Sequence, residues 1–455
     1  MRNVLQFSQH REAWLLRGAV ASTLILGLGY CLLPPTAALG LTVGLACLGL
    51  MMVSPYAGLL FFLALLYLRP AEHFPVLAAF HLTRLTALVA LGVWGIQYAL
   101  TRRPPLTHAP QNWMLAGLSG AVFLSTLGAE YWRIPIYRFL EVFLKCLVLY
   151  WLIINLLDTP RRLRGFLWAW VLLTAFNGGL ALHHYFAGLG LVAGERVEGV
   201  GIFGDPNDLA LSFVVVVPLV VALWRAEKWP ILRGLWATVL GLLLAGVRVT
   251  FSRGGLLGLL VALFLTLRER IRRPAARWAF YLFGGLIAAA LVHLTFQERG
   301  TPFTQVTLEQ NVAGRLAAWK AGARMMLDKP LTGVGYGYFA DRFKDYAPPD
   351  TDVYYLTAHN SFVLVAGEMG LPGLLFFGGL LLVSFRSLRE IKEALRTRSG
   401  PAELREIGEA LRPSLWGWLT CGMFLSQAFG YFLYILLGVI VATHRLCTEP
   451  TGSGS

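Results

Sequence analysis

The sequence predicts an all-α polytopic membrane protein, with about 12–14 transmembrane helices and one large loop on a single side. Three observations carry that prediction. Of the 455 residues, 56% are hydrophobic and 14% charged, with a mean hydropathy of +0.62, whereas soluble domains hold about 25% charged residues. Apolar runs such as Thr36–Val53, Asn207–Trp224, Gly254–Leu267, Trp278–Phe296 and Ser361–Phe385 recur between short polar breaks, and ~20 mostly apolar residues cross a bilayer. The basic residues, finally, gather in a minority of the loops.

Taken in order, spans are predicted at 17–33, 36–53, 55–68, 82–100, 112–129, 136–157, 165–185, 207–224, 231–249, 253–267, 278–296, 361–385, 413–428 and 430–444. The start, Met1–Arg17, is polar and basic and leads into the first span without a clear cleavage site, so no removable signal is expected. Basic clusters at Arg102–Arg103, Arg161–Arg164, Arg225–Arg233, Arg268–Arg277 and Arg386–Arg412 fall with the N-terminus. That side is cytoplasmic by the positive-inside rule, which also accounts for the net charge of +14 without invoking nucleic acid. The five cysteines lack paired spacing and read as small core residues.

The opposite side then holds the loops 69–81, 130–138, 186–206, 250–252 and the long one, 297–360. Four segments follow: N-terminal helices 1–190, central helices 191–296, the outer loop 297–360 and C-terminal helices 361–450, with 451–455 read as a tag remnant. Within the long loop, Val312–Leu327 has the spacing of an amphipathic helix with Leu316, Trp319, Ala323 and Leu327 on one face.

Basic residues are few on the outer side, and those present are mostly arginine: Arg133, Arg138, Arg196, Arg253, Arg315 and Arg342. A guanidinium stays charged and matches phosphate or carboxylate with a planar fork. The plain alternative is pairing with Glu130, Glu195, Glu198 or Asp205; for the set, an anionic ligand explains more. Gly194–Ala210 is a glycine-rich turn entering a span. Asp205 or Asn207 caps it with Pro206 in the first turn, beside Arg196 where a helix N-terminus favours anions. Capping alone would account for Asn207. Thr250-Phe-Ser-Arg253 repeats the pattern at the next outer helix start, with Arg253 at the hydrocarbon boundary, where snorkelling is the alternative. His359, followed by Asn360, ends the long loop as a helix begins, and imidazole takes up a proton near neutral pH. Glu368 follows on that helix as a buried structural acid. The G-x-G-x-G of Gly333–Gly337 lacks the strand and helix of a dinucleotide fold. No H-x-x-E-H, C-x-x-C, D-x-D or P-loop pattern occurs, so neither a metal site nor a nucleotide cofactor is expected.

The order Arg196…Phe203-Gly-Asp-Pro-Asn207, Phe251-Ser-Arg253-Gly, Gly314-Arg315…Trp319…Pro330-Leu-Thr-Gly-Val-Gly335…Phe339 and His359-Asn360-Ser…Glu368-Met-Gly370-Leu-Pro-Gly373 resembles the O-antigen ligase/polymerase superfamily, most clearly over 190–375. The resemblance implies a GT-C-like, metal-independent and cofactor-free glycosyltransferase of the bacterial inner membrane, facing the periplasm. It implies a donor glycan on undecaprenyl diphosphate and an acceptor hydroxyl on a lipid A–core sugar or another surface acceptor. It makes His359 the catalytic histidine, Arg196, Arg253 and Arg315 the diphosphate ligands, and Arg138, Asn207 and Asn360 supporting residues. An en bloc ligase is the first reading, a polymerase of the same superfamily the second. A lipid-linked glycan transporter without chemistry is the third; it predicts charges through the membrane's depth, where few are seen.

Overall fold

Proline marks where many of the helices start. Pro55, Pro110, Pro160, Pro206 and Pro230 each sit in the first turn of one, where the missing N–H costs nothing and the fixed φ suits the helix. Ser54, Thr159 and Asp205 cap three of these by accepting a backbone N–H. The computed structural model describes residues 35–448 apart from 75–76, 78–79, 102–105, 193–194, 200, 269–270, 272, 274–275, 279–280, 282–283, 287–311, 350, 352 and 398–400. The chain is an all-α membrane protein. The predicted spans 17–33 and most of 278–296, the terminal tag remnant and Cys31 lie outside the described residues.

The apolar helices are α1 (Pro35–Val53), α2 (Pro55–Leu68), α3 (Leu82–Thr101), α4 (Pro110–Ser125), α5 (Arg133–Leu156), α6 (Pro160–Ala187), α7 (Pro206–Ala226), α8 (Pro230–Val249) and α9 (Arg253–Arg268). After α10 (Val312–Asp328) come α11 (Ser361–Thr397), α12 (Ala402–Gly422) and α13 (Tyr431–Thr448). Six of them, α5, α6, α7, α8, α11 and α13, are long and apolar enough by themselves to cross a membrane. The strands described are Leu191–Val192 and Arg196–Val197, an antiparallel pair that folds the loop before α7 back on itself.

Helix α7 forms the centre. It is buried almost all round between Leu209 and Val220 and packs on α12, α8 and α9, while α11 packs on α4 and α10 and α13 on α5. In a bilayer such association rests on close side-chain fit more than on hydrophobicity, since lipid is equally apolar. The buried Cys146, Cys421 and Cys447 are free thiols, filling space as expected.

Two expectations need correction. The run 413–428 is not one span: α12 ends at Gly422, and Met423–Gly430 is a turn before α13. Polar groups of this turn are engaged outside any helix, as the Ser426 hydroxyl accepts the His359 N–H at 2.9 Å and the Gln427 N–H reaches the Ser361 hydroxyl at 3.0 Å. The second correction concerns α10. Leu316 and Leu327 are exposed, and the buried face is Ala317, Ala318, Ala321 and Met325. Small residues win because α10 lies tight on α11: a Cβ at Gly322 would fall 2.4 Å from a Val363 methyl.

Residues 330–339 run as a strap along a break in α11. Gly370 has φ 62° and interrupts the helix, so the Leu371 N–H bonds the Pro330 carbonyl at 2.8 Å. The carbonyls of Gly367 and Glu368 accept from Val334 and Gly335 at 2.9 and 3.0 Å. Glu368, buried, accepts the Phe339 N–H at 3.2 Å. The glycine-rich stretch is therefore a structural strap and Glu368 its anchor, which keeps the outer loop fixed to the helix that begins just after His359.

Candidate active site

Arg196 leaves the short hairpin and meets the starts of α7 and α9. Its Nε donates to the Thr250 carbonyl at 3.2 Å and its Nη2 to Asn207 Oδ1 at 3.0 Å. That same oxygen accepts the Ser252 hydroxyl at 2.7 Å, and Ser252 Oγ in turn accepts the Gly255 N–H at 3.1 Å. Asp205, not Asn207, caps α7: its Oδ1 accepts the Asn207 backbone N–H at 2.6 Å and the Asn207 amide at 2.8 Å. Asn207 is thus the joint between the two helix starts, and capping does not account for it.

Arg253 is the first residue of α9, two positions after Phe251, whose φ of 48° is left-handed. A bulky residue there carries backbone strain of the kind that collects at functional sites. Arg315 reaches the same place from α10, with its guanidinium 5.8 Å from the centre of the Phe424 ring. Phe424 also lies against Gly254. The three cations feel one another. Burial lowers the pKa of Arg196, Asp205 opposes the shift, and Arg315 and Arg253 add to it by repulsion. Burial likewise lowers that of Arg315, again opposed by Asp205. An arginine remains charged through such shifts, so three positive groups share a partly water-excluded place with one neighbouring carboxylate, Asp205.

His359 stands at the end of the long loop with φ 46°. Its flanking residues Ala358 and Asn360 are buried, and its N–H is held by Ser426. Asn360 is the helix cap: Oδ1 accepts the N–H groups of Phe362 and Val363 at 2.8 and 3.1 Å. The turn Met423–Gly430 touches both halves of the site, Arg315 through Phe424 and His359 through Ser426. The predicted residues therefore gather around one turn. Arg138 does not join them. It lies against Gly337 of the strap, within electrostatic reach of Glu368.

Residues 238–378 match the sequence profile of the family described as O-antigen ligase. The match covers that segment and makes it similar to the O-antigen ligase family. The matched segment holds Arg253, Arg315 and His359; Arg196 and Asn207 lie upstream of it. No curated protein matches the chain.

Several participants escaped sequence reasoning. Thr250 accepts from Arg196, Ser252 donates to Asn207, Phe424 meets Arg315 and Ser426 holds the His359 N–H. Ser426-Gln427 inside an otherwise apolar run was the available signal. A second group of charges also went unforeseen: Glu141, on a π-helical stretch of α5 (Phe139–Phe143), binds Arg84 of α3 and Lys145, the latter at 3.2 Å.

Proposed function

We propose that the chain is an O-antigen ligase-type glycosyltransferase. It moves a glycan en bloc from undecaprenyl diphosphate to an acceptor hydroxyl, on a lipid A–core sugar or a related surface acceptor, at the periplasmic face of the inner membrane. The observation that supports this reading best is the grouping of Arg196, Arg253 and Arg315, which repel one another beside the Asp205 carboxylate. A leaving diphosphate gains negative charge in the transition state, and preorganised guanidiniums in a place poor in water stabilise it without reorganising. The charge complement is supplied by side chains, which makes the proposed chemistry metal-independent.

His359 takes the role of general base. It accepts the proton of the acceptor hydroxyl as the oxygen attacks the anomeric carbon and the diphosphate departs with the bonding pair. Attack from the face opposite the leaving group inverts the anomeric centre. Asn360 caps the helix that begins after the histidine, and Ser426 accepts the histidine's backbone N–H.

Purified protein, given a lipid-linked glycan and an acceptor, should release undecaprenyl diphosphate and add one glycan per acceptor. His359→Ala should lower the rate on the order of 10²–10⁴-fold, the range of general base catalysis, and turnover should persist in excess EDTA. A lipid-linked ladder of products would replace ligase with polymerase. Loss of turnover on chelation, restored by a divalent ion, would overturn the metal-free mechanism.

A further inference from the structure

Ser361 opens α11 fully buried, and the turn Met423–Gly430 uses its hydroxyl twice. The hydroxyl donates to the Leu425 carbonyl at 2.7 Å and accepts the Gln427 N–H at 3.0 Å. Ser426, between those two residues, returns the contact: its side-chain oxygen accepts the His359 N–H at 2.9 Å. Two serines more than 60 residues apart thus clasp 359–361 to 425–427. Helix α12 ends against the clasp, where a Cβ at Gly422 would stand 3.4 Å from the Ser361 hydroxyl. The same helix end lies on the start of α9. Cys421 Sγ donates to the Gly254 carbonyl at 3.5 Å, and a Cβ at Gly254 would fall 3.4 Å from that of Phe424. One short segment, Cys421 to Gln427, therefore touches the residue after Arg253 at one end and His359 at the other.

We propose that Ser426 and Ser361 are positioning residues for His359, holding its backbone left-handed and at a fixed place relative to Arg253. Neither serine touches the reacting atoms. A residue other than glycine at φ 46° is strained, and it keeps that conformation only where its surroundings over-determine it. On one side the Asn360 cap fixes the start of α11. On the other, Ser426 supplies the acceptor for the partly buried His359 N–H, and Ser361 fixes the turn that carries Ser426. Without the Ser426 oxygen that N–H loses its partner, and the chain relaxes toward ordinary φ. The Cα–Cβ bond turns with it and carries the imidazole away. A general base acts only within hydrogen-bond reach of the hydroxyl it deprotonates, and a displacement of about 1 Å costs on the order of 10²-fold in rate. The plain alternative, that both serines only stabilise the fold, predicts less folded protein with a full rate per folded molecule. This inference rests on the role given to His359 above, and its test is chosen to fail separately from that reading.

The test compares Ser426→Ala, Ser426→Thr, Ser361→Ala and the double alanine variant in the full-length protein. The control is Ser384→Ala, further along α11, whose buried hydroxyl donates to the Leu380 carbonyl at 2.7 Å. Three quantities are read: kcat and KM for a lipid-linked glycan, the affinity for undecaprenyl diphosphate, and hydrogen exchange at the His359 amide. Ser426→Ala is expected to lose about 10- to 100-fold in kcat, with KM and affinity changed less than about 3-fold. Ser426→Thr keeps the acceptor oxygen at a site that is only partly buried, and its kcat should stay within about 3-fold of wild type. Ser361→Ala should lose about 10-fold, and the double variant should be no slower than the slower single one, as for residues acting as a unit. Exchange at the His359 amide should speed up in Ser426→Ala and stay slow in Ser384→Ala, whose kcat should equal the wild type's. Unchanged kcat in Ser426→Ala, a loss that threonine fails to restore, an equal loss in Ser384→Ala, or unaltered exchange would each overturn the clasp. Accelerated exchange in Ser426→Ala, in a protein whose wild type turns over no lipid-linked glycan, would support the clasp and overturn the proposed reaction instead.

Discussion

Arg196 and Arg342 both belong to loops predicted on the outer side, and the structure treats them in opposite ways. Arg342 binds Glu130 at 3.0 Å and Asp345 at 3.0 Å. Two carboxylates neutralise it, and it joins the 130s loop to the end of the strap. Arg196 is held by a carbonyl and an amide oxygen, partners that fix its direction and leave its charge. The difference teaches how to tell an arginine spent on structure from a candidate for binding. A guanidinium oriented by neutral acceptors keeps a full positive charge for a ligand, while one oriented by carboxylates has already found its anion.

The largest effect that would sharpen this contrast is at Arg253. Arg253→Lys keeps the charge and removes the fork, and a diphosphate ligand predicts a rate loss on the order of 10²–10³-fold, as for a lost transition-state donor. Full activity of the lysine variant would remove that role. A smaller effect is expected at Asn207. Asn207→Leu frees Arg196 and Ser252 from their common acceptor, and kcat should fall about 10-fold, with Arg196 still charged but less well aimed. An unchanged kcat there would show that Arg196 needs no orienting partner. The smallest effect is at Arg342. Its pairs are partly exposed, so Arg342→Ala should change stability by less than about 1 kcal/mol and leave turnover near wild type. A loss comparable to that of Arg253→Lys would erase the distinction between the two arginines.

Much of the fold was legible because membrane crossing leaves a strong trace in the chain. The helices α1 to α9 follow the predicted spans closely, and prolines with Ser, Thr or Asp before them mark several starts. The candidate site was legible in its charged members, since an outer arginine is conspicuous against the positive-inside pattern. What could not be read were contacts between distant parts of the chain. Ser426 and Gln427 sit in a run apolar enough to pass for a span, and their partners His359 and Ser361 lie more than 60 residues away in the chain. The amphipathic pattern of α10 misled for a related reason. Leu316 and Leu327 obey the helical period, but alanine and glycine fit closer to α11, and tight packing selected the small face. Arg138 has the same sequence credentials as Arg196, yet a strap glycine and Glu368 place it elsewhere.

The most direct test of the central claim, that three arginines form one diphosphate site and Arg342 stands apart from it, is a binding measurement. Undecaprenyl diphosphate is titrated into the purified wild type and into Arg196→Ala, Arg253→Ala, Arg315→Ala and Arg342→Ala, with undecaprenyl phosphate as the comparison ligand. The account predicts that each of the first three variants weakens diphosphate binding by roughly 10-fold or more, the worth of a lost charge-assisted hydrogen bond. It predicts that Arg342→Ala binds like the wild type and that the monophosphate binds more weakly than the diphosphate to both. Equal binding by all five proteins, or a loss confined to Arg342→Ala, would contradict it.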